Sequence, residues 1–119
     1  MQFMLIFATP LSEVETQNDP VEGPKLMGAW RDYIGSMMQA GVTLNGDGLE
    51  SPETATTVRV RDGKRVVQDG PYCEAKEYLG GYVTLEVDDL DAAIKWAEKS
   101  PAAEYGSVEI RPVMMNPTG

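Results

Sequence analysis

Residues Phe3-Met4-Leu5-Ile6-Phe7-Ala8 (FMLIFA) decide how the rest of the chain is read. Both alternating sets of this run are apolar: Phe3, Leu5 and Phe7 on one side, Met4, Ile6 and Ala8 on the other. The run stops at Thr9-Pro10, and its length suits a strand. A strand with two apolar faces belongs inside a sheet that is covered on both sides. With 119 residues the chain lies within the roughly 100–150 usual for one domain, and it needs no disulfide or metal to fold.

Two segments carry helical signals. The acidic stretch Leu11–Gly23, with Asn18-Asp19-Pro20 as a turn signal, reads as a loop or a short irregular helix. Pro24 then suits the first position of a helix running to about Ala40, with Gly41 as its stop. Leu26, Trp30, Tyr33, Ile34 and Met37 recur at helical spacing and form its apolar face. Asp88 or Asp89 caps a second helix. Its expected buried stripe is Leu90, Ala93, Ile94 and Ala97, and Ser100-Pro101 ends it. Trp96 lies off that stripe, as flank packing or as part of a partner surface.

The remaining segments read as strands. Val42–Leu49 is extended, with a bend expected at Asn45-Gly46-Asp47-Gly48. Thr56–Arg61 and Lys64–Gln68 flank Asp62-Gly63, the strongest short-range hairpin signal. A two-residue turn there sets Val60 opposite Arg65, Arg59 opposite Val66 and Val58 opposite Val67. One hairpin face then carries Val58, Val60 and Val67; the other carries Thr57, Arg59, Arg61, Lys64 and Gln68. That cationic ribbon is a landing place for an anionic ligand, a solvated face, or a partner for the chain's own carboxylates. Gly80-Gly81 opens a strand, Tyr82–Val87, with Val83, Leu85 and Val87 on one side and Tyr82, Thr84 and Glu86 on the other. In the last strand, Ser107–Met114, Val108 and Ile110 oppose Glu109 and Arg111; a short loose tail, Met115–Gly119, follows.

This order predicts a single α+β domain over residues 1–119, of ferredoxin-like type, with an antiparallel sheet and two helices on one face. The apolar sets of the later strands are expected to meet those helices. The opposite sheet face would carry Tyr82, Thr84, Glu86, Glu109 and Arg111 beside the second apolar side of the first strand. A surface half apolar and half polar predicts a homodimer, stacked sheet to sheet, with a cavity around the polar part.

Composition removes several functions. The chain has no histidine, which excludes Ser-His-Asp and Cys-His catalysis and His-ligated zinc. No metal or cofactor motif is present, and no residue is assigned a catalytic role. The single cysteine, Cys73, rules out an internal disulfide and is either a reactive thiol or a filler beside a turn. A net charge of −9 argues against nucleic acid as a partner. No apolar run is long enough to cross a membrane, and Met1 leads straight into the first strand without a basic leader, so the cytoplasm is the expected location.

Asp69-Gly70-Pro71-Tyr72-Cys73-Glu74-Ala75-Lys76-Glu77 does not read as regular structure. Its crowded charges either clamp a polar ligand or hold the loop by ion pairs. The segment resembles the DGPF motif of the YCII-related family, with Tyr72 where Phe is commoner. The similarity extends to the opening MQFMLIF, to Ala55-Thr56-Thr57-Val58-Arg59, to LGGYVTLEVDDLDAAIKWA and to the closing GSVEIRPVM. That resemblance implies a dimeric α+β barrel of two sheets packed back to back. It also implies an association with extracytoplasmic-function sigma factors, for which the acidic surface and Trp96 are the available features. Relatives suspected of catalysis carry a His-Asp pair, which a chain without histidine lacks. The expected function is small-molecule binding in the dimer cavity, lined by Arg59, Asp69, Tyr72, Glu74, Lys76, Glu77, Glu109 and Arg111. An enzyme with a carboxylate, Arg or Lys site in that cavity is the alternative. Glu86 and Glu109 would be its acid–base pair, unless Arg111 or Arg59 neutralises them.

Overall fold

The computed structural model describes residues 1–70 and 77–114, and at positions 11, 13 and 14 the backbone alone. In chain order the elements are β1 (Gln2–Pro10), α1 (Leu11–Gln17), α2 (Glu22–Ala40), β2 (Thr43–Gly48), a 3-10 turn (Pro52–Thr54), β3 (Thr56–Arg61), β4 (Lys64–Asp69), β5 (Glu77–Glu86), α3 (Leu90–Glu98), α4 (Pro101–Tyr105) and β6 (Ser107–Pro112). Four strands form an antiparallel sheet in the order β2-β5-β1-β6. This is the ferredoxin-like arrangement, with β3 and β4 inserted in the connection from β2 to β5. The doubly apolar first strand is central, paired on both edges.

Phe3, Leu5 and Phe7 of β1 sit beside Val83 and Leu85 of β5 on the inner sheet face, where they are buried against Tyr33 and Met37 of α2 and Ala93 and Ala97 of α3. Phe7, Trp30 and Tyr33 pack edge to face, with ring centroids 5.0 to 6.1 Å apart. The Tyr33 hydroxyl donates to the Trp96 carbonyl at 2.9 Å and ties α2 to α3. Gly41 ends α2 in the left-handed conformation (φ 73°), as a residue without Cβ should. Gly81 allows β2 and β5 to meet, since a Cβ there would lie 2.8 Å from the Asp47 carbonyl oxygen.

Four expectations need correction. Helix α2 starts at Glu22, not Pro24, because the Asp19 carboxylate accepts from the Val21 and Glu22 N–H groups at 2.8 Å and holds the first turn. The bend expected at Asn45–Gly48 is part of β2, whose irregularity is a register shift between Thr43 and Asn45. Strand β5 begins at Glu77, and Gly80 falls at a second shift inside it instead of before it. On α3, Ala93 and Ala97 are buried but Leu90 and Ile94 are exposed. The contact face is rotated toward Trp96, which packs on the core, because α2 holds the Trp96 carbonyl from that side.

The largest departure is the hairpin. Asp62-Gly63 forms the turn, both residues at positive φ, and the pairs are those the sequence predicts: Val60 with Arg65, Arg59 with Val66, Val58 with Val67. Yet among the described residues β3 and β4 pair only with each other, as a separate two-stranded sheet. Their valines do not meet the helices. The usual alternation is inverted in β3, where Thr57 and Arg59 are half-buried while Val58 and Val60 are exposed. The shape agrees: the radius of gyration is 16.2 Å with extents of 48 × 46 × 19 Å, against about 13.5 Å for a compact domain of this length.

Candidate functional site

The strand register places residues on the outer sheet face, away from the helices. One row runs across all four strands: Asp47 on β2, Tyr82 on β5, Ile6 on β1 and Glu109 on β6. The next row is Asn45, Thr84, Met4 and Arg111. Met4, Ile6 and Ala8 form a half-covered apolar centre. Polar groups stand on either rim, one strand spacing away on each side, so about 10 Å separates them.

On one rim the Tyr82 hydroxyl donates to Asp47 Oδ2 at 2.9 Å. That hydrogen bond, with the adjacent negative charge, holds the phenol above its usual pKa, so it remains a donor. On the other rim Arg111 Nε lies 3.8 Å from Glu109 Oε2, a loose and largely exposed pair. The expected homes of Glu109 and Arg111 on this face are therefore correct. Glu77, first residue of β5, stands opposite Pro10 at the end of the same face. Its Oε2 accepts from the Ser107 hydroxyl at 3.3 Å, while Oε1 is buried and has no hydrogen-bond partner among the described residues.

Other candidates lie elsewhere. Arg59 and Asp69 belong to the hairpin: Arg59 Nη1 donates to Gln68 Oε1 at 3.0 Å, and Asp69 pairs with Thr56 at the hairpin base. Tyr72, Glu74 and Lys76, with Cys73, lie outside the described residues. Glu86 and Glu109 share the outer face but are not neighbours. Glu86 stands opposite Gln2 with the N-terminal ammonium 3.4 Å away, whereas Glu109 stands opposite Ile6. Within one copy that separation keeps the two from forming an acid–base pair, and Glu109 has Arg111 beside it. Asp47 was missed, because Asn45-Gly46-Asp47-Gly48 reads as a turn; the alternation of polar residues with glycine was the available signal for an edge strand.

Among the described residues no three of His, Cys, Asp or Glu gather in a way that could hold a metal ion. One concavity, about 660 Å³, is an open groove on the helix side, lined by residues including Lys25, Leu26, Lys99 and Tyr105. It contains none of the expected site residues, and its lysines are engaged, Lys25 with Glu22 and Lys99 over the Trp96 ring. No helix among the described residues is long and apolar enough to cross a membrane. Chemically, the outer face offers hydrogen-bond donors and acceptors around an apolar strip.

The family model described as YCII-related domain matches residues 1–116. A curated protein of Rhizobium meliloti, itself uncharacterised, is 36% identical over 67 residues, which are 55% of this chain and 54% of that protein. The match thus spans about half of that relative's length. Among solved structures, the fold is similar to 5-chloro-2-hydroxyhydroquinone dehydrochlorinase from Burkholderia phenoliruptrix, in complex with 2,5-dihydroxybenzoquinone. The TM-score is 0.57 at 11% identity, covering 98% of this chain and 96% of the other.

Proposed function

The chain belongs to the YCII-related domain family, and we propose that it is a homodimeric small-molecule-binding protein whose ligand lies on the outer sheet face. The observation that carries this reading is the in-register row Asp47–Tyr82–Ile6–Glu109. An apolar centre between two polar rims fits a small flat molecule with polar atoms at its edges. A second copy supplies the roof that an open sheet face lacks. Support at the level of fold comes from the dehydrochlorinase, which holds a dihydroxybenzoquinone. Dihydroxylated rings and small polar acids are accordingly the first probes.

The test has two arms. Sedimentation at micromolar concentration should show a dimer, and a monomer would overturn the homodimer. A thermal-shift screen over those probe classes should find a stabiliser. Tyr82→Phe and Glu109→Gln should each weaken its binding by roughly tenfold, the loss of one hydrogen bond to a ligand. A stabiliser indifferent to both substitutions would place the site elsewhere.

A further inference from the structure

We propose that the β3–β4 hairpin is an arm that lays its valine face on a second copy of this chain. This role rests on the homodimer proposed above and names the element that completes its interface. Three observations converge on it.

An isolated two-stranded hairpin is marginal in water and needs a surface to pack on. Here the apolar residues Val58, Val60 and Val67 are exposed, while the polar face of β3 is the half-covered one. The chain's own sheet and helices leave that valine face bare.

Charge points to the occupant. The hairpin, residues 56–69, carries four cationic and two acidic side chains on a chain of net charge −9, which leaves −11 for the remainder. Among the described residues the outer sheet face adds Asp47, Glu77, Glu86 and Glu109 against Arg111 and the N-terminal ammonium. Arg65 stands beside the valines, opposite Val60, while Arg59, Arg61 and Lys64 on the other face add to a net positive field, so an acidic second copy attracts the arm.

Area supplies the third reason. Four strands at about 4.8 Å spacing and about 25 Å length give a flat footprint of roughly 500 Å² before side-chain relief is counted. A standard interface buries about 800 Å² per partner. Stacked sheets alone fall short, and a projecting arm of about 20 Å from each copy makes up the difference.

The decisive experiment compares wild type with the triple variant Val58→Thr, Val60→Thr, Val67→Thr, which keeps β-branched side chains and hence strand preference. Sedimentation across submicromolar to high micromolar concentrations reads the dimer. A wild-type dimer whose dissociation constant rises by roughly 10- to 100-fold in the variant supports the arm. A wild-type dimer unchanged in the variant overturns the arm and leaves the homodimer standing; a wild-type monomer overturns both. Hydrogen exchange on the wild type needs no substitution. Amides of residues 57–68 should be protected in the dimer and lose that protection on dilution, and protection independent of concentration would overturn the arm.

Discussion

Strand β5 and the β3–β4 hairpin are built from the same kind of residue at the same spacing, and they end in opposite surroundings. Val83 and Leu85 on β5 are 2% and 0% exposed, whereas Val58, Val60 and Val67 on the hairpin are 57%, 63% and 53% exposed. Alternating apolar residues thus establish that a segment is a strand with a face to hide. They do not say what hides it. For β5 the cover is α2 and α3 of the same chain; for the hairpin no described element of this chain supplies it.

The sharpest way to break this comparison is to cut both faces alike. Leu85→Ala should cost about 2–5 kcal/mol in urea unfolding, as a cavity in a closed core does. Val67→Ala should change stability by no more than about 0.5 kcal/mol where the chain is monomeric, as an open surface position does. A large cost for Val67→Ala that appears only at high protein concentration would show that a second copy supplies the missing cover.

Next in size is the hydrogen bond that joins the two helices behind β5. Tyr33→Phe removes the donor to the partly buried Trp96 carbonyl and should cost about 1 kcal/mol. Burial pushes the Tyr33 phenol well above its ordinary value of 10. A group with a raised folded pKa contributes its full stability below the unfolded value and loses it as pH climbs through the folded one. Thermal melts should therefore show an alkaline destabilisation setting in above about pH 10 that is smaller in Tyr33→Phe. The hairpin, which buries no such phenol, should not add to it.

Capping effects come third. Asp89 accepts from the Ala92 N–H at 2.9 Å and starts α3 directly after β5, so Asp89→Ala should cost about 1 kcal/mol by the same melts. The smallest effect belongs to the outer face. Asp47→Ala removes the hydrogen-bond acceptor and the negative charge beside the Tyr82 phenol and should bring its raised pKa down toward the ordinary value in an ultraviolet titration, with little change in melting temperature. An unshifted titration would mean that the pair does not form in solution.

Local signals in the sequence carried much of this fold. Two apolar sides on residues 3–8 required a central strand, because a strand buried on both faces cannot be an edge. Asp62-Gly63 set the hairpin register through the positive φ at both positions that a type I′ two-residue turn requires, and the Asp89 cap and the Gly41 stop were equally local. For the candidate site, the placement of Tyr82, Thr84, Glu109 and Arg111 on one face followed from strand alternation alone.

What the tertiary structure decided is of another kind. It left the hairpin out of the main sheet, because β2 and β5 pair directly through Gly46 and Gly81 and occupy the edge that β3 would need. It turned α3 so that Ala93 and Ala97, not Leu90 and Ile94, face the core, because the contact with α2 comes from the Trp96 side. It also joined Asp47 to Tyr82 across 35 residues. Each of these outcomes depends on which distant surfaces meet, and a hydrophobic pattern records only that a face must be covered, not by whom.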